Sequence, residues 1–274
     1  MSEALAPRST PSAPTHAKPL LGLLLAPALT ALGVAVAPRL TLSEPTAAAA
    51  VFAGAATAGL LALAASARAF LAPRAAIILA VAGLCVLAVA FFVAPPPAVG
   101  VILVNLGLVS IAHAAGASIG RRVAHPGHLL PACAVAAAAD VVSLIHPSGP
   151  THAIASSPRA LAFFALGFPV PGTRLVAPAL GFGDLVFLAL VLGVAATHAM
   201  SLTRTAICGA LGLAVAGVVA GALDINVPAL VPIGAAVVIG LPEARRLRAE
   251  DRRTAQISMA AAVAVVISVL LSPR

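Results

Sequence analysis

The stretch PALGFGDLVFLALVLG, residues 178–193, decides how this chain is read. Its apolar run has the character of a membrane helix, yet it contains Asp184. The nearest basic residues along the chain are Arg174 and Arg204, so no local ion pair accounts for it. An aspartate at the centre of a membrane helix costs roughly 2.5–3.5 kcal/mol on the insertion scale. It persists where it faces protein or water, so the stretch raises the question of its partner.

Composition fixes the solvent around that question. Hydrophobic residues are 61% and charged residues 9% of the 274, and the mean hydropathy is +1.11. Soluble domains carry about a quarter charged residues, so the chain reads as an integral membrane protein. The net charge of +8 comes from basic residues dispersed between apolar runs. That is the pattern of topology determinants and not of a nucleic-acid surface. Cys85, Cys133 and Cys208 lie far apart within apolar runs and read as small buried hydrophobes, neither a disulfide framework nor a metal site. Trp and Tyr are absent, so helix ends are placed by Arg, Pro and Gly.

The chain divides into four parts. Residues 1–18, rich in Ser, Pro and Ala, read as a disordered tail. Residues 19–125 form an N-terminal scaffold of four helices, at about 20–37, 46–67, 75–94 and 98–119. Residues 126–242 hold spans at about 128–146, 175–200, 205–223 and 226–242. Residues 243–274 are a basic loop and a last span, about 255–271. Ala35-Val36-Ala37 resembles a leader-cleavage site, but Pro38 follows it, and a retained first helix is the expectation. The Pro-rich segment 147–174 contains the apolar stretch ALAFFALGF. It is too short to span, and lies at the interface or pairs as strands. The fold expected is an all-α polytopic membrane protein of about nine helices. With nine spans, twelve Lys and Arg fall on one side and four on the other. The positive-inside rule then puts the N-terminus in the cytoplasm and the C-terminus and segment 147–174 outside.

Two acidic residues lie well inside predicted spans, Asp140 and Asp184; Asp224 lies at a helix edge. Asp140 sits about 9 Å from the outer end of its span and Asp184 about 14 Å, at 1.5 Å per helical residue. Two carboxylates at one depth on consecutive antiparallel helices can face each other and cannot both ionise in a low dielectric. They share a proton, so one serves as base and the other as acid. That pair can activate water against a peptide carbonyl. Gly181 and Gly183 remove side chains on either side of Phe182 and open an approach to Asp184; small residues also serve tight helix packing. In NVPALVP, Pro228 lacks an N–H and Pro232 cannot donate back to it. Free carbonyls and a loosened helix start are therefore expected at the same level.

Asp140, then Gly181-Phe182-Gly183-Asp184, then Pro228-Ala229-Leu230, in this order and spacing, resembles the presenilin and signal peptide peptidase family of GxGD-type intramembrane aspartyl proteases. The resemblance covers about residues 128–242, and a second PAL at 178–180 reads as coincidence. It implies that Asp140 and Asp184 are the catalytic pair and that Pro228, Ala229 and Leu230 shape the site. It also implies that 156–171 engages substrate, that the catalytic ends face outward as in signal peptide peptidase, and that the helices form a bundle of that family's kind. The chain departs from the family in having Ala139 before the first aspartate, four spans before the Asp140 helix instead of five, and one extra span after the PAL helix.

Other signals are weaker. Gly116-Ala117-Ser118-Ile119-Gly120, near His113, fits G-x-S-x-G but ends a membrane span, where close helix packing is the better reading. His125 and His128 lack supporting metal ligands in sequence, and Asn105 and His198 read as packing or interhelical hydrogen bonds. The expected function is an intramembrane endopeptidase acting on membrane-helix peptides, such as remnant signal peptides. It would work in a prokaryotic cell membrane, with the lipid bilayer and no nucleic acid as partner, and with no cofactor or metal. One rival is a prepilin-peptidase-like enzyme, which usually has a Lys soon after the GxGD motif where this chain has Leu185-Val186-Phe187. The other is a proton-coupled transporter or channel, for which inverted repeats are expected and none is visible.

Overall fold

The computed structural model describes residues 20–69, 71–223 and 225–271. The tail assigned to 1–18 and the edge position of Asp224 lie outside them. In chain order the helices are α1 (Leu21–Arg39), α2 (Glu44–Ser66), α3 (Pro73–Val93), α4 (Pro97–Gly120) and α5 (Pro126–Ile145). Two short helices come next, α6 (Pro150–Ala155) and α7 (Pro158–Phe164), then strands β1 (Ala165–Pro169) and β2 (Val176–Gly181). The chain continues through α8 (Phe182–Thr197), α9 (Leu202–Leu223), α10 (Leu230–Gly240) and α11 (Arg252–Leu271). Six of these helices, α2 to α7, carry proline at one of their first two positions, where its missing N–H has no intrahelical partner to lose.

Among the described residues, 7 helices are long and apolar enough to cross a membrane, and α8 and α10 are shorter apolar helices. The protein is a mostly helical integral membrane protein. Each predicted span overlaps one of these nine helices, and the mostly helical chain fits the expected all-α membrane class, with one two-stranded sheet added. One prediction needs correction: the span placed at 175–200 is not one helix, because residues 176–181 pair with β1 and the helix begins at Phe182. A short apolar run reads alike as buried strand or helix, so the sequence alone does not carry strand pairing beyond 174.

The core runs along α8. Leu185, Leu188, Val191 and Leu192 are buried among α2, α4 and α9. The α4–α8 contact is close enough to exclude side chains. A Cβ on Gly116 would lie 2.2 Å from the Val186 carbonyl oxygen, and one on Gly120 2.2 Å from that of Leu190. The G-x-S-x-G match is thus a packing seam, as expected, and α4 carries a π-helical turn there, His113–Ala117. Cys133 and Cys208 are buried, but Cys85 is exposed on α3, against expectation.

The loops sort by charge. Arg121 donates to the Ala69 carbonyl and His198 Nε2 lies 2.8 Å from the Val123 carbonyl. Arg204 pairs with Glu243 at 3.7 Å and His128 with Asp251 at 2.9 Å. These contacts gather the loops after α2, α4, α8 and α10 at one end of the bundle, the end with Arg68, Arg74, Arg122 and the arginines of 245–253. Asp251 is the carboxylate partner of His128 that the local sequence did not show. At the opposite end, Gly172, at φ +76°, turns the hairpin and donates its N–H to the Ala37 carbonyl.

Single cysteines at Ser148 and Arg248, both exposed, are therefore expected to react with an impermeant reagent from opposite sides of sealed vesicles, with Ser148 outside. Labelling of both from one side would contradict the alternation.

Candidate active site

Asp184 is the third residue of α8, not a mid-span residue, so its predicted depth is corrected: the strand and not a helical rise carries it inward. Its Oδ2 accepts the Gly181 N–H at 3.2 Å, closing the first turn on the helix's own start. This places a carboxylate at the positive end of the helix, against otherwise unpaired N–H groups.

Asp140 lies on α5, one and a half turns before its end. Its Oδ2 accepts the Leu230 N–H at 3.0 Å, from a residue 90 positions further on. That bond has a local cause. The start of α10 has no side chain able to cap it, because Pro228 and Ala229 offer no acceptor. Proline also disfavours helical geometry in the residue before it, so α10 cannot extend back past Pro228. Its orphan N–H is left to another helix, and Asp140 takes it.

The free carbonyls expected at this segment are not found at Pro228 and Ala229. The Pro228 carbonyl accepts from Val231 N–H at 3.2 Å, and that of Ala229 from Ile233 N–H at 3.1 Å. Pro232 cannot supply the usual donor to Pro228, and the turn tightens to use Val231 instead. What the PAL segment offers is a donor, and Asp140 receives it.

Asp140 and Asp184 line one cavity of about 200 Å³ together with Gly181, Phe182, Gly183 and Leu230. The Oδ1 atom of each carboxylate has no hydrogen-bond partner among the described residues. A Cβ on Gly183 would meet nothing within 4 Å, so this glycine is not required by helix packing and leaves the cavity open. Ala229 packs partly buried beside the core instead of facing the cavity. The cavity has room for several waters.

Sequence reasoning missed the remaining wall. Thr151, Ile154 and Ala155 of α6 and Leu161 and Phe164 of α7 also line the cavity. Ser143, one turn beyond Asp140, donates to Thr151 Oγ1 at 2.7 Å and accepts the Thr151 N–H at 2.9 Å, fixing α6 against α5. The spacing of Ser143 from Asp140 is the one signal of this in the sequence, and it does not name Thr151.

The chain matches no protein family profile, no curated protein and no solved structure.

Asp140→Ala should lower stability by the ~1 kcal/mol typical of a lost helix cap. Asp140→Asn should not, since its amide oxygen can still accept the Leu230 N–H. Thermal melts of both variants in one detergent check this.

Proposed function

We propose that the protein is an intramembrane aspartyl endopeptidase of the presenilin and signal peptide peptidase type, cleaving peptide bonds within membrane helices. The observation that carries this reading is the meeting of Asp140 and Asp184 in one cavity. Each carboxylate there has one oxygen held by a backbone N–H and one left over.

In that arrangement the two carboxyl groups hold one proton between them. The ionised carboxylate takes a proton from water as the water oxygen bonds to the peptide carbonyl carbon. The protonated one delivers its proton to the carbonyl oxygen. Collapse of the tetrahedral intermediate breaks the C–N bond, the amine nitrogen gains a proton, and a new acid and a new amine leave. No metal or cofactor enters the balance.

A helix hides its scissile carbonyl behind side chains and internal hydrogen bonds, so substrate must be unwound locally. Among the described residues β2 pairs only with β1, and its other flank borders a groove of about 390 Å³ lined by Glu44, Val51, Phe52, Ala177, Pro178 and Ala179. An extended substrate segment is accommodated along this strand, which runs directly into Gly181 and Asp184. Single-span proteins and remnant signal peptides are the substrate class. The basic end of the bundle faces the cytoplasm and the hairpin end faces outward.

One observation favours a second reading. The helices α8 and α10 are 16 and 11 residues long, about 24 and 16 Å, and both start at the cavity. Half-length helices whose ends meet polar groups also build proton-coupled transport sites. Proton uptake by reconstituted vesicles without peptide cleavage would favour transport.

Asp140→Asn and Asp184→Asn should each abolish cleavage of membrane-helix peptides, followed by mass spectrometry, while insertion and monodispersity are kept. Near-wild-type turnover by either variant would sink the dyad. Pro228→Ala should also cut turnover strongly. It lets α10 grow backwards, so that Leu230 N–H pairs with the Asn226 carbonyl and Asp140 loses its partner. A lower melting temperature with unchanged activity per folded molecule would instead make the segment scaffold.

A further inference from the structure

Asn105 lies in the middle of α4 and is fully buried, as is Thr30 on α1. Its side-chain amide is fully used. Nδ2 donates to Thr30 Oγ1 and to the Gly167 carbonyl, both at 2.8 Å, and Oδ1 accepts the Gly167 N–H at 3.0 Å. Thr30 passes its own proton to the Ala26 carbonyl at 2.8 Å. The amide thus bonds both backbone groups of one residue of β1, as a neighbouring strand would.

The residue it holds is the irregular one in the sheet. Leu166 faces Leu180, and Gly167 faces Pro178, so Ala179 is an extra residue on β2. A bulge bends its strand and re-aims the chain beyond it. Beyond this bulge lie Gly181 to Asp184. Gly167 gives both its groups to Asn105, so it is in a non-hydrogen-bonded pair with Pro178, and the proline costs the ladder no bond. A side chain at Gly167 would crowd the strand's neighbours. A Cβ there would lie 3.0 Å from Val101 Cγ2 and 3.2 Å from Val176 Cγ1.

We propose that Asn105 is a positioning residue that fixes the register in which the β1–β2 hairpin presents an extended substrate to Asp140 and Asp184. This rests on the protease reading. The chain of causes is short. Asn105 pins Gly167, Gly167 pins the bulge opposite it, and the bulge sets where β2 ends relative to the carboxylates. Without the amide, the N–H and C=O of Gly167 would be unpaired in the dry interior, and the hairpin would shift to find other partners.

The test is the masses of the peptides released from one membrane-helix substrate by the full-length protein and by Asn105→Leu, which keeps the number and branching of side-chain heavy atoms and removes both polar functions. The expected result is displaced or multiple cleavage positions. A kcat lower by on the order of a hundredfold, as for angstrom-scale misplacement, is expected with a smaller change in KM. Gly167→Ala reaches the same strand by a different route and should give the same pattern with Asn105 intact, so the test survives if Asn105→Leu does not fold. Thr30→Val removes only the third partner of the amide and should lower the melting temperature while leaving the products unchanged. Unchanged product masses from both Asn105→Leu and Gly167→Ala overturn the inference and leave the protease reading standing. A wild-type protein that cleaves none of the substrate peptides overturns both.

Discussion

Hydrocarbon offers no hydrogen bonds, so every backbone group at membrane depth must find a partner inside the protein. The structure around Asp140 depends on how the start of α10 meets that constraint. A proline sets the start, an alanine comes after it, and no local side chain can receive the Leu230 N–H. The Asp140 carboxylate receives it at 3.0 Å. One bond therefore satisfies a helix end, ties α5 to α10, and places a carboxylate on the wall of the cavity that Asp184 also lines. The acid is kept in the membrane because it has a partner that is a dipole and not a cation.

The same constraint explains the hairpin. The 16-residue α8 covers about 24 Å by helical rise, short of a hydrocarbon core about 30 Å thick. Strand β2 makes up the remainder, with one edge paired to β1, while β1 in turn is held at Gly167 by Asn105. Irregular backbone at this depth is tolerated where protein or a polar cavity surrounds it. Here α2, α4 and α7 pack against the sheet. A strand that delivers Asp184, and a helix start that needs Asp140, bring both acids to one place without a cation.

The glycines of α4 serve this arrangement from the other side. Gly116 and Gly120 let the α4 backbone touch that of α8 at Val186 and Leu190. Val186 is two residues past Asp184, so the seam fixes the helix that carries the acid within its first turn and a half. The Asp184 end of α8 is thereby held in a fixed position against α4.

Much of this was legible in the chain itself. Composition alone placed the protein in a membrane, because 61% hydrophobic residues cannot be hidden from water in a soluble domain. Apolar run lengths located the helices, and the spacing of Asp140, Asp184 and Pro228 pointed to a single site, because each breaks a rule that membrane helices otherwise obey. The sequence could not show that residues 176–181 leave the helix for a strand, since an apolar run looks the same in either state and its pairing partner lies across a turn. It also could not show that Leu230 donates to Asp140, that Asn105 stands in for a strand at Gly167, or that Asp251 meets His128. Those contacts join residues far apart in the chain, and only tertiary packing decides which orphaned backbone group meets which side chain.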